Sequence, residues 1–138
     1  MNYGRIVLGG IVGGIAYTIV SIVVNMAALG ARYELLQGKN VFRAEPRLPF
    51  LPIYILLLLA VSIGLVWLYA AARTRLGPGP KTALTVGLLV GLIAAVPHAL
   101  AQYCWSYVGG FVSLWQGIEV IVGSVLATLV GGWMYREP

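Results

Sequence analysis

The sequence predicts an all-α, polytopic membrane protein: a bundle of four transmembrane helices forming one domain over residues 1–138. Three observations predict it. Hydrophobic residues make up 60% of the chain and charged residues only 9%, whereas a soluble domain carries about 25% charged residues, so this chain cannot cover a water-facing surface. The apolar residues gather into four runs, each near the ~20 residues a spanning helix needs. The runs do not alternate polar with apolar as barrel strands do, which leaves helices as the way to satisfy every backbone group in lipid.

The first span is expected over about 6–29. Its apolar run is longer than the ~7–15 residues of a signal-peptide core and is studded with glycine pairs, so it reads as a spanning helix rather than a cleaved leader. The next segment, "ARYELLQGKNVFRAEPRLP" (31–49), is the only long connection and mixes both charge signs. Its Tyr33, Leu35, Leu36, Val41 and Phe42 are too apolar for a free tail and are expected to lie in the interface plane or to cap, from outside, the polar cluster described below. Pro46, Pro49 and Pro52 lead into the second span, about 50–72. "RTRLGPGPK" (73–81) is short, purely basic and broken by a Gly-Pro-Gly-Pro turn signal. The third span, about 82–104, joins the fourth, about 111–135, through the tight uncharged hairpin "SYVGG" (106–110).

Orientation follows from Lys and Arg near span ends. Arg5, Arg73, Arg75, Lys81 and Arg136 fall on one side, and Arg32, Lys39, Arg43 and Arg47 on the other. The short basic loop 73–81 tips the balance, placing both termini in the cytoplasm and the long loop outside. Trp67, Tyr69, Trp133 and Tyr135 would then mark the cytoplasmic interface, and Tyr103, Trp105 and Tyr107 the outer one.

The first and third spans can be laid on one another without gaps. "GIVGGIAYTIVSIVVN" (10–25) matches "GLLVGLIAAVPHALAQ" (87–102), with Gly10 and Gly14 on Gly87 and Gly91, and Asn25 on Gln102. The second and fourth spans each close on Trp-x-Tyr followed by Arg. The bundle therefore reads as two pseudo-repeated helical hairpins.

Helices approach closely in lipid where small residues let them. Gly10 and Gly14, Gly87 and Gly91, and Gly123 with Ala127 and Gly131 form such stripes at GxxxG spacing. They serve packing within the chain or contact with a second copy; the sequence leaves both open. Followed outward, the stripes lead to polar residues: Asn25 on the first span, His98 and Gln102 on the third, Gln116 and Glu119 on the fourth. His98 and Glu119 are nearly equidistant from the hairpin centre, so at ~1.5 Å per residue they lie at the same depth. The sequence thus predicts one intramembrane polar cluster of Asn25, His98, Gln102, Gln116 and Glu119, with His98 paired to Glu119. Pro97 removes a helix hydrogen bond to the Ile93 carbonyl, and the expected kink would turn that carbonyl toward the cluster.

An ionisable group within a membrane is functional by default, which singles out Glu119. The same residue can also simply lock helices together. No metal site is expected: Cys104, the only cysteine, lies six residues past His98 and points elsewhere. No cofactor and no catalytic residue are expected, since an active site normally shows several convergent polar groups. The dispersed basic residues argue against a nucleic-acid partner.

The stretch "WLYAAARTRLGPGPKTAL" (67–84) resembles small bacterial four-helix membrane proteins without an assigned activity. "GPGPKTA" is its most specific part. The Gly-rich first span "GGIVGG", Glu119 in the last span and "YRE" at 135–137 complete the likeness. The resemblance implies topology and the bacterial inner membrane, and no activity. Two functional expectations follow. One is a non-enzymatic accessory or self-associating subunit, whose partners are the lipid bilayer and a homodimer or larger membrane complex. The other is a small proton-coupled transporter using a Glu119–His98 pair.

Overall fold

The computed structural model describes residues 1–135; Arg136 of the charge comparison and the closing Arg136 and Glu137 lie outside the described residues. Five α-helices follow in order: α1 (Tyr3–Val23), prolonged by a π-helical turn (Val24–Ala28), α2 (Gly30–Gly38), α3 (Phe50–Leu76), α4 (Pro80–Trp105) and α5 (Gly110–Met134). Among the described residues there is no strand. Tyr3–Ala28, Phe50–Leu76, Pro80–Trp105 and Gly110–Met134 are long and apolar enough to cross a membrane, the architecture of a multi-pass membrane protein. These are the four expected spans. The largest difference is at the end of the second, which runs on to Leu76 and carries Arg73 and Arg75 in its last turn, where cations favour the negative end of the helix dipole.

Local chemistry sets the ends. Asn2 caps α1 by accepting the Arg5 N–H at 3.2 Å. Between α3 and α4, Gly77 and Gly79 take φ of +84° and +135°, conformations that L side chains avoid. Pro80 then opens α4 with its φ already helical, and the Thr82 hydroxyl donates back to the Gly77 carbonyl at 2.7 Å.

The glycines decide the bundle. A Cβ on Gly9 would sit 2.6 Å from the Gly131 carbonyl oxygen, and one on Gly13 2.5 Å from that of Ala127, so α1 and α5 touch backbone to backbone. On its other side α1 receives α3: a Cβ on Gly10 would collide with Ile63, and one on Gly14 would lie 3.0 Å from the Cα of Leu59. In α4, Gly87 and Gly91 receive Val125 and Ile121 of α5 in the same manner, at 2.7 and 2.9 Å from their Cα atoms. Gly123 of α5 leaves room for the Tyr17 ring of α1. The aligned glycines of the first and third spans thus do equivalent work within each hairpin.

The equivalence stops between hairpins. α1 packs extensively along α5, but its counterpart pair, α3 and α4, shares a much smaller interface, part of it near the connecting loop. There Ala70 and Ala83 share a core with Val66, Tyr69 and Tyr135. Farther on, Val90 packs against the Leu58 and Leu65 cluster, and beyond it the two helices stand apart. Tyr69 and Tyr135 are 4% and 3% exposed and meet edge to face. They close the bundle at its terminal end, where Trp67 and Trp133 are exposed. At the other end Tyr103, Trp105 and Tyr107 are exposed.

The long connection is not a plain loop. Its first part is α2, whose Leu36 is buried with Leu29, Val24 and Val112, with Tyr33, Phe42 and Trp115 packed around them. Of the five apolar residues of this segment, Tyr33, Leu36 and Phe42 pack onto this end of the bundle, while Leu35 and Val41 are exposed.

Candidate functional site: a buried carboxylate in an open cavity

Glu119 lies nine residues into α5, about 14 Å along the helix at 1.5 Å per residue, and is 4% exposed. Three hydrogen bonds from two neighbouring helices hold it. Its Oε1 accepts from the Ser21 hydroxyl at 2.5 Å and from the Tyr54 phenol at 2.9 Å. Its Oε2 accepts from Asn25 Nδ2 at 2.9 Å. All three donors are neutral. Among the described residues no basic side chain forms an ion pair with it.

The helix geometry explains the placement. Ser21 follows Tyr17 and Gly14 on the α1 stripe that faces α3 and α5. Just after it the helix loosens into the π turn, in which the Leu29 N–H reaches back to the Val24 carbonyl at 3.1 Å. Such single π turns are frequent at functional sites. Here the turn carries Asn25, whose Nδ2 bonds both the Ser21 carbonyl (2.9 Å) and Glu119. The network continues outward: the Tyr33 phenol donates to Asn25 Oδ1 at 3.0 Å and accepts from Gln116 Nε2 at 3.1 Å. Burial holds the Tyr33 phenol above its usual value of 10, the Gln116 hydrogen bond opposes this, and the nearby Glu119 adds to the rise.

Three of the five expected cluster residues are therefore joined, Asn25 and Glu119 directly and Gln116 through Tyr33. His98 is not joined to Glu119. It is exposed and, among the described residues, makes no hydrogen bond or ion pair. α3 and α4 splay at this end, but α4 and α5 stay in contact, a Cβ on Gly117 lying 3.6 Å from the Ala99 Cβ; the two residues part because Glu119 faces Ser21 and Tyr54 of α1 and α3 while His98 is exposed. Gln102 stands on the same side, and its Oε1 has no hydrogen-bond partner. α4 stays helical through Pro97, and Ile93, whose carbonyl was expected to turn toward the cluster, is exposed and lines no part of the neighbouring cavity.

Between the splayed helices lies a cavity of about 730 Å³, within the usual range of small-molecule sites. Glu119, Ser21 and Asn25 form its polar wall. Phe50, Tyr54 and Leu58 of α3 bound one side, and Ala94, His98 and Gln102 of α4 the other. The Phe50 and Tyr54 rings stack at 5.1 Å. Phe50, Leu51, Ala94 and His98 are exposed, so the cavity opens sideways between α3 and α4, toward the surface that lipid covers. No group of His, Cys, Asp and Glu among the described residues could hold a metal ion.

Ser21 and Tyr54 as direct partners of Glu119, and Tyr33 as the link between Asn25 and Gln116, are the site residues that sequence reasoning missed. A tyrosine near the end of an apolar run reads as an interface aromatic, and only the crossing of α3 over α1 turns its phenol inward. No family model matches the chain, and neither the curated proteins nor the solved structures contain a match to it.

Proposed function

We propose that the chain is a non-enzymatic multi-pass protein of the bacterial cytoplasmic membrane that binds a small molecule in this cavity, with Glu119 as the group that holds it, and serves as a carrier. The observation behind it is the buried carboxylate on the wall of a roomy, laterally open, mostly apolar space. A residue kept only to lock helices together needs no such space beside it. The competing accessory-subunit reading leans on the glycine stripes as docking faces, but those of α1, α4 and α5 are taken up by neighbouring helices of the same chain. The basic loop between α3 and α4 supports cytoplasmic termini. The resemblance carried by the Gly-Pro-Gly-Pro loop supports a bacterial membrane.

The test is native mass spectrometry of protein extracted in mild detergent from cells expressing it at natural levels. The expected result is a small bound mass that Glu119→Gln releases and that Ala94→Trp, which fills the cavity from α4, also excludes. Co-purification with a larger complex, with no small molecule bound and no effect of either substitution, would favour the accessory subunit. Orientation is checked in a Cys104→Ala background with Lys39→Cys: a membrane-impermeant maleimide should label it in intact cells.

A further inference from the structure

Resting on the ligand-binding reading above, we infer that the cavity takes a singly charged cationic amphiphile, its ammonium head on Glu119 and its apolar tail leaving between α3 and α4. The first argument is charge. Both oxygens of the Glu119 carboxyl are placed as hydrogen-bond acceptors, and all three of their donors are neutral. A charge held at membrane depth without a counter-charge is costly, and a cation entering the cavity supplies one. The second argument is valence. A carboxylate offers about four acceptor positions; Oε1 uses two and Oε2 one, so Oε2 keeps a position for a donor.

The third argument is the aromatic wall. Phe50 and Tyr54 stack against each other on the α3 side, and Tyr33 closes the α2 end. Ring faces attract ammonium groups by their quadrupole, most strongly when water is excluded. The rest of the lining is largely aliphatic, with Ile22, Met26, Leu51, Ile55 and Leu58 on one flank, which suits a hydrocarbon tail. The opening between α3 and α4 lets that tail remain in the bilayer.

The same lining argues against a zwitterionic phospholipid, whose head also carries an amine. Its phosphate would need a basic partner, and neither Lys nor Arg lines the cavity. Arg32, the basic residue nearest in sequence to Tyr33, is engaged over the Phe111 ring at 5.8 Å.

The experiment is a charge series at constant tail on the unmodified protein, read by native mass spectrometry in a neutral detergent: dodecylammonium, dodecanol and dodecanoate, with phosphatidylethanolamine as a fourth probe. Dodecylammonium should bind at least about ten-fold more tightly than the other three, the scale of a close charge pair. Glu119→Gln should remove that preference at unchanged helical content, and Ala94→Trp should abolish binding of every probe. Equal binding of dodecanol and dodecylammonium, both lost in Ala94→Trp, would overturn the cationic class and leave the cavity as the binding site. Preferred binding of phosphatidylethanolamine would overturn it in favour of a lipid head. Binding of all probes unaffected by Ala94→Trp would overturn this inference and the ligand-binding reading together.

Discussion

Asn25→Leu tests the network at its hinge. Leucine keeps asparagine's branching at Cγ but is bulkier, so the substitution removes polarity and adds a packing cost that the double-mutant cycle below separates out. Four hydrogen bonds go: Nδ2 to Glu119 Oε2 at 2.9 Å, Nδ2 to the Ser21 carbonyl at 2.9 Å and to the Ser21 hydroxyl at 3.4 Å, and the Tyr33 phenol to Oδ1 at 3.0 Å. The losses are unequal. The Ser21 carbonyl keeps its bond from the Val24 N–H, and the half-buried Tyr33 keeps the bond it accepts from Gln116. Glu119 Oε2, however, is left without a donor. A hydrogen bond to a charged group is worth about 1.5–3 kcal/mol in water-soluble proteins. Between membrane helices measured values average about 0.6 and reach about 1.7 kcal/mol. The expected cost is therefore about 2 kcal/mol of unfolding free energy.

The assay is reversible unfolding in bicelles followed by helical circular dichroism, run as a double-mutant cycle with Glu119→Gln. A glutamine whose oxygen stays with Ser21 and Tyr54 turns its NH₂ toward that of Asn25. Asn25 cannot rotate to accommodate it without setting its own oxygen against the Ser21 carbonyl. Asn25→Leu should then cost little in the Glu119→Gln background, giving a coupling of about 1–2 kcal/mol. Full additivity, or a cost below about 0.5 kcal/mol for Asn25→Leu alone, would refute the claim that Asn25 holds the carboxylate.

Gly13→Ala should destabilise by about 1–3 kcal/mol in the same unfolding assay, because its Cβ meets the Ala127 backbone rather than a side chain that can move. Gly64→Ala, whose Cβ meets nothing within 4 Å, should be neutral or stabilise by up to about 1 kcal/mol. Ser62→Ala should also be neutral or stabilising, by about 1 kcal/mol, since its fully buried hydroxyl has no hydrogen-bond partner; a clear loss of stability would mean that the hydroxyl has one. For Tyr33, burial raises the folded-state pKa above 10, so the folded state holds this proton more tightly than the unfolded state. Its contribution is complete below pH 10 and is lost as the pH climbs through the raised value. The phenolate absorbance difference between the wild-type protein and Tyr33→Phe should accordingly show a midpoint above 10.

Length and composition alone determined the class of this protein and its span boundaries to within a few residues, because the bilayer imposes one dominant rule on every spanning segment. The small-residue stripes also pointed to the packed faces, since helix approach in lipid is limited by side-chain size. Glu119 and Asn25 were visible as members of one cluster for the same reason: each sits on such a stripe. What the sequence could not decide was distance across the bundle. Spacing along a helix fixes depth and face, but the gap between two helices depends on everything packed beneath them. In each hairpin glycines bring the backbones together, and glycines likewise bring α1 onto α5. Between α3 and α4 close packing is confined largely to the half nearer their loop. That difference opened the cavity that His98 and Gln102 line together with Glu119. His98 misses the carboxylate because Glu119 turns toward α1 and α3 and takes its partners there from Ser21, Asn25 and Tyr54, the last on a helix whose sequence shows only a tyrosine in an apolar run. The carboxylate was written in the sequence, and the open space beside it was decided by how two pairs of helices close unequally.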